Sequence, residues 1–405
     1  MQLLKLRLVA VTLACCLVAA CAGGDSAPAP TREPATIFTT LAAGSQHTCA
    51  LTVEDRVMCW GVNRDSQLGV EPQAGRERRA HLVEGLEGVK AIAAGGDVSC
   101  ALTHAGAAYC WGEPRKLGTG ATAESHVPLP VAGLSSGVAE IAVGRTHACV
   151  LLDTGEAGCW GLNQFYQLGD GTRDERLAPV GVKGLPSAAT AIYVNGTSTC
   201  AQLELGGVYC WGDRIYGIRD GGGNRMENLN EAPARVTQLG EHIEGLAAEG
   251  SASVCFLDED RRAFCFGYNP TGILGNGTEV DTETPVEVAG LGAGVRDIDL
   301  GAGHACAVTA EGGVKCWGEV QYFENFGGRI PGTFLEDAHY GPSPVPIPGL
   351  ESGVVAVATG REHVCVLREA GNVQCWGHNP FGQLGNGGTE ASATPVELQL
   401  APAQD

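Results

Sequence analysis

Gly303-His304-Ala305-Cys306-Ala307-Val308-Thr309-Ala310-Glu311-Gly312-Gly313-Val314-Lys315-Cys316-Trp317-Gly318 is the stretch that decides the fold. Two apolar runs flank a Glu-Gly-Gly turn, which predicts an antiparallel hairpin with glycine where positive φ is needed. Folding about Glu311 sets Cys306 opposite Cys316. Directly opposed residues in such a pair have Cα atoms about 4.5–5.5 Å apart, a span that a disulfide bridges. The same spacing couples Cys49 with Cys59, Cys100 with Cys110, Cys149 with Cys159, Cys200 with Cys210, Cys255 with Cys265 and Cys365 with Cys375, each pair enclosing nine residues. Asp153-Thr154-Gly155-Glu156 repeats the turn. Trp-Gly follows the second cysteine in six of the seven copies and uses all six tryptophans, and Phe266 takes that place in the fifth. First cysteines recur every 49 to 59 residues, so one supersecondary unit is copied seven times.

Each unit has further parts. A small-residue strand precedes the hairpin, as in Ile92-Ala93-Ala94-Gly95, Ile141-Ala142-Val143-Gly144 and Ile298-Asp299-Leu300-Gly301; small side chains suit strands crowded near an axis. A loop follows that reads Asn63…Gln67-Leu68-Gly69, Asn163…Gln167-Leu168-Gly169 and Asn379…Gln383-Leu384-Gly385. Then comes a Pro-Val run (Pro179-Val180, Pro285-Val286, Pro344-Val345, Pro395-Val396), where proline fits a strand start or edge. Four strands per unit and seven units predict an all-β, seven-bladed propeller with one hairpin disulfide per blade. Seven pairs of buried free cysteines, or metal sites, are the alternatives. Nine intervening residues do not match the usual zinc spacings, and local pairing is the economical choice in a repeat.

The chain carries 46 acidic and 26 basic side chains, and 60 glycines, about twice average usage. Without Lys5 and Arg7, 46 acidic against 24 basic residues leave a net charge of −22. Such a chain repels phosphate backbones, so no nucleic-acid partner is expected. Arg76, Arg78 and Arg79, with Glu77 among them, read as a solvated loop.

Lys5 and Arg7 precede an apolar run from Leu8 to Ala20, too short for a membrane span and suited to a signal-peptide core. Val18-Ala19-Ala20-Cys21 resembles a bacterial lipobox. The expected organisation is therefore a lipoprotein signal peptide at 1–20, a flexible tether at 21–36 from a lipidated Cys21, the propeller at 37–400 and a tail at 401–405. Export brings the cysteines into an oxidising compartment. Ala22 after the cysteine resembles lipoproteins sorted to an outer membrane, where the organism has one.

The pattern IAAG-x-x-HTCAL…V-x-CWG-x-N-x-x-G-Q-L-G…PV-x-V-x-GL resembles the repeat of the regulator of chromosome condensation (RCC1-type) family, as found in exported bacterial lipoprotein members, over about residues 37–400. WD40 repeats are shorter, and kelch repeats place their signals differently. The resemblance implies a seven-bladed propeller. Its founder is a nuclear guanine-nucleotide exchange factor that binds chromatin, but this chain departs through its export signal, its acidity and its cysteines. The family also resembles a secreted bacterial β-lactamase inhibitor that grips an enzyme with propeller-face loops.

Chemistry is sparse. His47, His147, His304 and His363 precede the first cysteine by two residues, but Val98, Ser198 and Ser253 stand there in three copies; hydrogen bonding to neighbouring-blade backbone fits better than a metal ring. Gly-Asp-Gly-Thr at 169–172 and Gly-Asn-Gly-Thr at 275–278 lack the carboxylates for calcium. No catalytic motif stands out. No catalytic residue, cofactor or metal is expected. Two inserts follow the Trp-Gly motif, Arg219 to Glu231 and Glu319 to Gly341. The second holds Tyr322, Phe323, Phe326, Phe334 and Tyr340, the candidate partner-binding residues, since loops on rigid scaffolds carry function and aromatics anchor interfaces; packing on its own blade is the other reading. The sequence thus points to a monomeric, membrane-anchored scaffold of a bacterial cell envelope that binds a protein or cell-surface polymer. The alternatives are a polysaccharide-acting hydrolase or lyase at the shaft mouth and, remotely, a nucleotide exchange factor.

Overall fold

Seven four-stranded antiparallel sheets, each built from consecutive strands, make up the propeller. The computed structural model describes residues 36–71, 76–122, 125–213, 230–249, 253–318 and 341–402. Blade 1 runs through Phe38–Ala43, His47–Thr52, Val57–Val62 and Arg76–Leu82, from the shaft outward. Blades 2 to 7 begin at Val89–Gly95, Val138–Val143, Ala189–Val194, Gly245–Glu249, Asp297–Leu300 and Val354–Thr359. Among the described residues the only helices are 3-10 turns at Pro114–Lys116 and Thr237–Leu239.

The hairpin reading holds in every blade. In blade 1, Cys49 stands directly opposite Cys59 in the register of the two central strands. Blades 2, 3 and 4 set Cys100 against Cys110, Cys149 against Cys159 and Cys200 against Cys210 in the same way. Blades 5, 6 and 7 repeat it with Cys255 and Cys265, Cys306 and Cys316, and Cys365 and Cys375. All seven couples form disulfides, with Cα atoms 4.0–4.1 Å apart. That is slightly closer than the roughly 4.5–5.5 Å expected for directly opposed residues. The glycine of each Trp-Gly pair has positive φ, as at Gly61 (109°). A Cβ at Gly61 would stand 2.5 Å from Gln46 O, so only glycine lets the third strand pass the turn before His47.

The hydrophobic core lies between blades. Each of seven clusters straddles one blade interface and holds the aromatic residue of the later blade, as Trp111 does among Leu51, Val57, Leu68 and Ile92. Trp160, Trp211, Phe266, Trp317, Trp376 and Trp60 hold the same place in the other six. The indole N–H reaches back to the preceding blade: Trp60 Nε1 donates to Gln383 O (3.0 Å), Trp160 to Lys116 O (2.8 Å), Trp211 to Gln167 O (3.0 Å) and Trp317 to Ile273 O (2.6 Å). The glycine of Gln-Leu-Gly makes room for that indole; a Cβ at Gly169 would meet Trp211 Nε1 at 2.7 Å. The loop asparagine shapes the seat, since Asn63 Oδ1 accepts from Leu68 N at 3.0 Å and Asn379 Oδ1 from Leu384 N at 3.0 Å.

Blade 7 closes on blade 1 through several bonds. Phe38 N donates to Gly371 O (2.8 Å), Ala80 N to Gln399 O (2.9 Å) and Ala401 N to Ala80 O (2.9 Å). One expectation needs correction. Arg76, Arg78 and Arg79 belong to the outermost strand of blade 1 and not to a loop, with Arg78 and Arg79 exposed. The C-terminal segment of blade 7 covers the edge of this strand at Ala80, while the exposed Arg78 and Arg79 side chains stay in solvent, where charge is tolerated.

Candidate functional site

The innermost strands surround a shaft whose mouth forms a cavity of about 610 Å³. Its walls are small or apolar, including Leu41, Ala43, Ala94, Val143, Val194 and Ala358, and its rim includes Ser45, Arg145, Asn195 and Arg361. The turns between first and second strands form this rim. The loops after Gly212 and Gly318 leave on the same side: Thr197 Oγ1 donates to Asp213 Oδ2 (3.1 Å), where the fourth-blade loop begins, and Gly318 N donates to Gly341 O (3.1 Å). The candidate binding residues Tyr322, Phe323, Phe326, Phe334 and Tyr340 lie outside the described residues, as do the lipidation candidate Cys21 and most of the fourth-blade insert.

The four histidines do not converge on the shaft. Three of them latch blades together. His47 Nε2 lies 2.8 Å from Ser99 Oγ, His147 Nε2 2.6 Å from Thr199 Oγ1 and His363 Nε2 2.8 Å from Thr48 Oγ1, each pair joining one blade to the next. Ser99 and Thr199 pass their own protons to Gln67 O and Gln167 O, both at 2.8 Å, so they accept from the imidazole N–H. The partner is therefore a hydroxyl and not the backbone expected from sequence. For His304 the matching residue of the next blade is Val364, which offers no hydroxyl. Burial pushes His47 and His304 down to about 4 and His147 and His363 down to about 3. Among the described residues no group of three or more His, Cys, Asp or Glu side chains is placed to hold a metal ion. Asp170 is likewise a turn residue. Burial raises its pKa, but hydrogen bonds from Thr172, Arg176 and Asn163 outweigh that and hold it below the usual carboxylate range.

Three half-buried carboxylates belong to no motif in the sequence. Asp297 Oδ2 accepts from Val357 N (2.9 Å) and Asp299 Oδ2 from Thr359 N (2.8 Å), across the joint between blades 6 and 7. Their other oxygens accept from Ile298 N (3.0 Å) and Leu300 N (2.9 Å). Glu140 Oε2 accepts from Ile192 N (3.3 Å) between blades 3 and 4. Burial raises all three, Asp299 to about 6 and Glu140 to about 7. The signal that could have found the pair is acid at alternate positions of a small-residue strand, Asp297-Ile298-Asp299-Leu300.

Two profiles of the Regulator of chromosome condensation (RCC1) repeat match the chain, one at residues 38–67, 138–167, 295–322 and 354–383, the other at 105–151, 155–201 and 260–308. The chain is 30% identical over 371 residues to the ultraviolet-B receptor UVR8 of Arabidopsis thaliana, covering 90% of this chain and 81% of that protein. It is 30% identical over 232 residues to the mouse E3 ubiquitin-protein ligase HERC2, 56% of this chain but only 5% of that much longer protein. The crystal structure of Prp20p from Saccharomyces cerevisiae superposes with a TM-score of 0.68 at 19% identity, covering 90% of this chain and 87% of that one. The matches run through the same Cys-Trp-Gly hairpins and Gln-Leu-Gly seats that build the blade joints, and the chain belongs to the regulator of chromosome condensation (RCC1) repeat family.

Proposed function

We propose that this chain is a lipid-anchored, extracytoplasmic binding scaffold, a rigid ring that presents its loop face to another protein or a cell-surface polymer and is not an enzyme. The seven hairpin disulfides carry the reading, because such bonds persist in oxidising compartments and are rare in the cytosol. Val18-Ala19-Ala20-Cys21 supplies the lipidation signal, and 22–36 the tether. Protein binding is supported by family likeness: Prp20p is described with its binding properties to Gsp1p and histones. A fold hosts many activities, so the likeness does not name this chain's partner.

A polysaccharide-acting site would need carboxylates free to exchange protons with substrate. Asp297 and Asp299 come nearest, but both oxygens of each accept backbone N–H groups, so the pair serves the joint between blades. Metabolic labelling with a fatty acid tests the anchor. Wild type should incorporate label, Cys21→Ala should not, and globomycin should cause the precursor to accumulate. Equal labelling of the mutant refutes lipidation at Cys21. The oxidised protein, immobilised through its tether, should also retain a defined partner from envelope extract, whereas retention of nothing beyond a bare-matrix control counts against the scaffold reading.

A further inference from the structure

Every innermost strand turns alternate backbone N–H groups away from its own blade and toward the shaft, and the register shows which ones. Gly44 N and Gly360 N donate inside their own blades, to His47 O (2.9 Å) and His363 O (2.8 Å). The alternate residues Val357 and Thr359 face the other way, and their N–H groups go to Asp297 and Asp299. Ala43, Ala94 and Val143 hold the register position of Thr359: they pair with Thr48, Ser99 and Ala148 as Thr359 pairs with Val364. Their N–H groups therefore point to the shaft in blades 1, 2 and 3.

The protein's own side chains show what such N–H groups bind. Asp299, opposite Cys306, reaches Thr359 N of the following blade. The residues in the matching position before Ala43, Ala94 and Val143 are Ala358, Ala42 and Ala93, opposite Cys365, Cys49 and Cys100. An alanine presents no carboxylate, so this sector of the shaft keeps its donors open while the sector at blades 6 and 7 is filled from within. Arg361 of blade 7 and Arg145 of blade 3 stand exposed at the rim of the open sector. The chain carries a net charge of −20, yet among the described residues Asp299 is the only acidic side chain lining the cavity, and both its oxygens are already bonded.

Resting on the scaffold reading and naming the chemistry of one partner, we infer that the open sector of the shaft mouth binds the free C-terminal carboxylate of an extended, small-residue peptide segment. A carboxylate fits because the same N–H positions already hold carboxylates elsewhere in the ring, and charge-assisted bonds of this kind are the strong ones. An extended peptide fits because edge strands offer N–H and C=O groups in alternation. A chain end fits because a cavity of about 610 Å³ lies in the small-ligand range of roughly 300–1,000 Å³ and admits no folded domain. A cavity of that volume leaves an extended segment room for small side chains, and Ala43, Ala94 and Val143 let it come close to the N–H groups.

Calorimetric titration of the oxidised full chain with acetyl-Gly-Ala-Ala tests this, using the free acid and the C-terminal amide as separate probes. The acid should bind with Kd below about 1 mM and the amide at least about tenfold more weakly. Arg145→Gln should weaken the acid by about tenfold. Ala93→Asp should install on Val143 N the carboxylate that Asp299 supplies to Thr359 N, and should abolish binding while the melting transition persists. Should that variant fail to fold, Arg145→Gln carries the test. Equal binding of acid and amide, no binding of the acid, or unchanged binding by the folded Ala93→Asp variant overturns the inference. Sodium glucuronate competing as well as the peptide overturns the peptide half of it. Loss of the peptide with partner capture retained sinks this site and leaves the scaffold reading standing.

Discussion

His147 shows how much one side chain does in this ring. Its imidazole donates to Thr199, whose hydroxyl donates to Gln167 O, which also accepts the Trp211 indole. Three residues and one carbonyl thus join blades 3 and 4, and the arrangement recurs at His47 with Ser99 and Gln67. All four imidazoles are held below the ordinary histidine range, although the latch itself, an Nε2–H given to a hydroxyl, would survive protonation. Burial is the main cause for all four; Lys116 adds to it at His147, and His47, His304 and His378 add to it at His363. Histidines that titrate at 6.5 when unfolded and at about 3 to 4 when folded contribute stability that is present above 6.5 and is lost as pH falls through the folded values. Asp299, raised from 3.8 to about 6, and Glu140, raised from 4.5 to about 7, act oppositely: their contribution is complete below the unfolded values and is lost as pH rises. Asp297, also raised by burial, opposes in the same sense; four histidines still outweigh three carboxylates, so the melting midpoint should fall between about pH 7 and about pH 4.5. Asp299→Asn removes one opposing group and should steepen that fall. A midpoint that rises on acidification would show that the histidines do not enter the fold neutral.

Between residue and ring stands the blade, and the joint between blades 7 and 1 has no covalent link to secure it. It relies on Trp60 against Gln383, His363 against Thr48, and the segment Gln399–Ala401 laid along the outermost strand of blade 1. Truncation after Leu398 removes Ala80 N to Gln399 O, Ala401 N to Ala80 O and Gln399 N to Gly385 O. At about 0.5–1.5 kcal/mol per bond, the loss of three should be about 1.5–4.5 kcal/mol, read as a lowered urea midpoint. An unchanged midpoint would mean that the indole and imidazole contacts suffice. The hairpins were legible because turn chemistry and cysteine spacing are local. The joints were less so, because each contact spans about fifty residues or, at closure, more than three hundred. A trace existed: the residues after the second-strand start are Thr48, Ser99 and Thr199 where the preceding blade carries His363, His47 and His147, and Ala148 and Ala305 where it carries Val98 and Ser253. The outermost strand at Arg76–Leu82 read as loop because its pairing comes from the neighbouring strand's edge and not from apolar alternation of its own.

Across the whole molecule, seven similar blades would present seven similar edges, and choosing a partner requires the symmetry to be broken. The structure breaks it in the shaft, where Asp297 and Asp299 fill the joint between blades 6 and 7, Glu140 stands alone at the joint between blades 3 and 4, and alanines hold the position of Asp299 in blades 7, 1 and 2. The sequence breaks it again in the Glu319–Gly341 insert, whose flanking residues lie on the side of the shaft mouth. Replacing that insert with a short loop patterned on His378–Gly385 separates binding from folding. The graft brings the Gln-Leu-Gly seat that Gln383 O and Gly385 give Trp60, now placed for Trp376 of the next blade. Stability should therefore hold, since the grafted loop offers that indole a carbonyl in the geometry found at the joint between blades 7 and 1. If Tyr322, Phe323, Phe326, Phe334 and Tyr340 anchor the partner, the graft should remove about 2 kcal/mol or more of binding in all. Partner capture and the melting midpoint, measured on the same preparation, distinguish the outcomes. Lost capture with an intact midpoint assigns the insert to recognition. Unchanged capture by the folded variant assigns it to packing and moves recognition to the shaft mouth and the remaining loops.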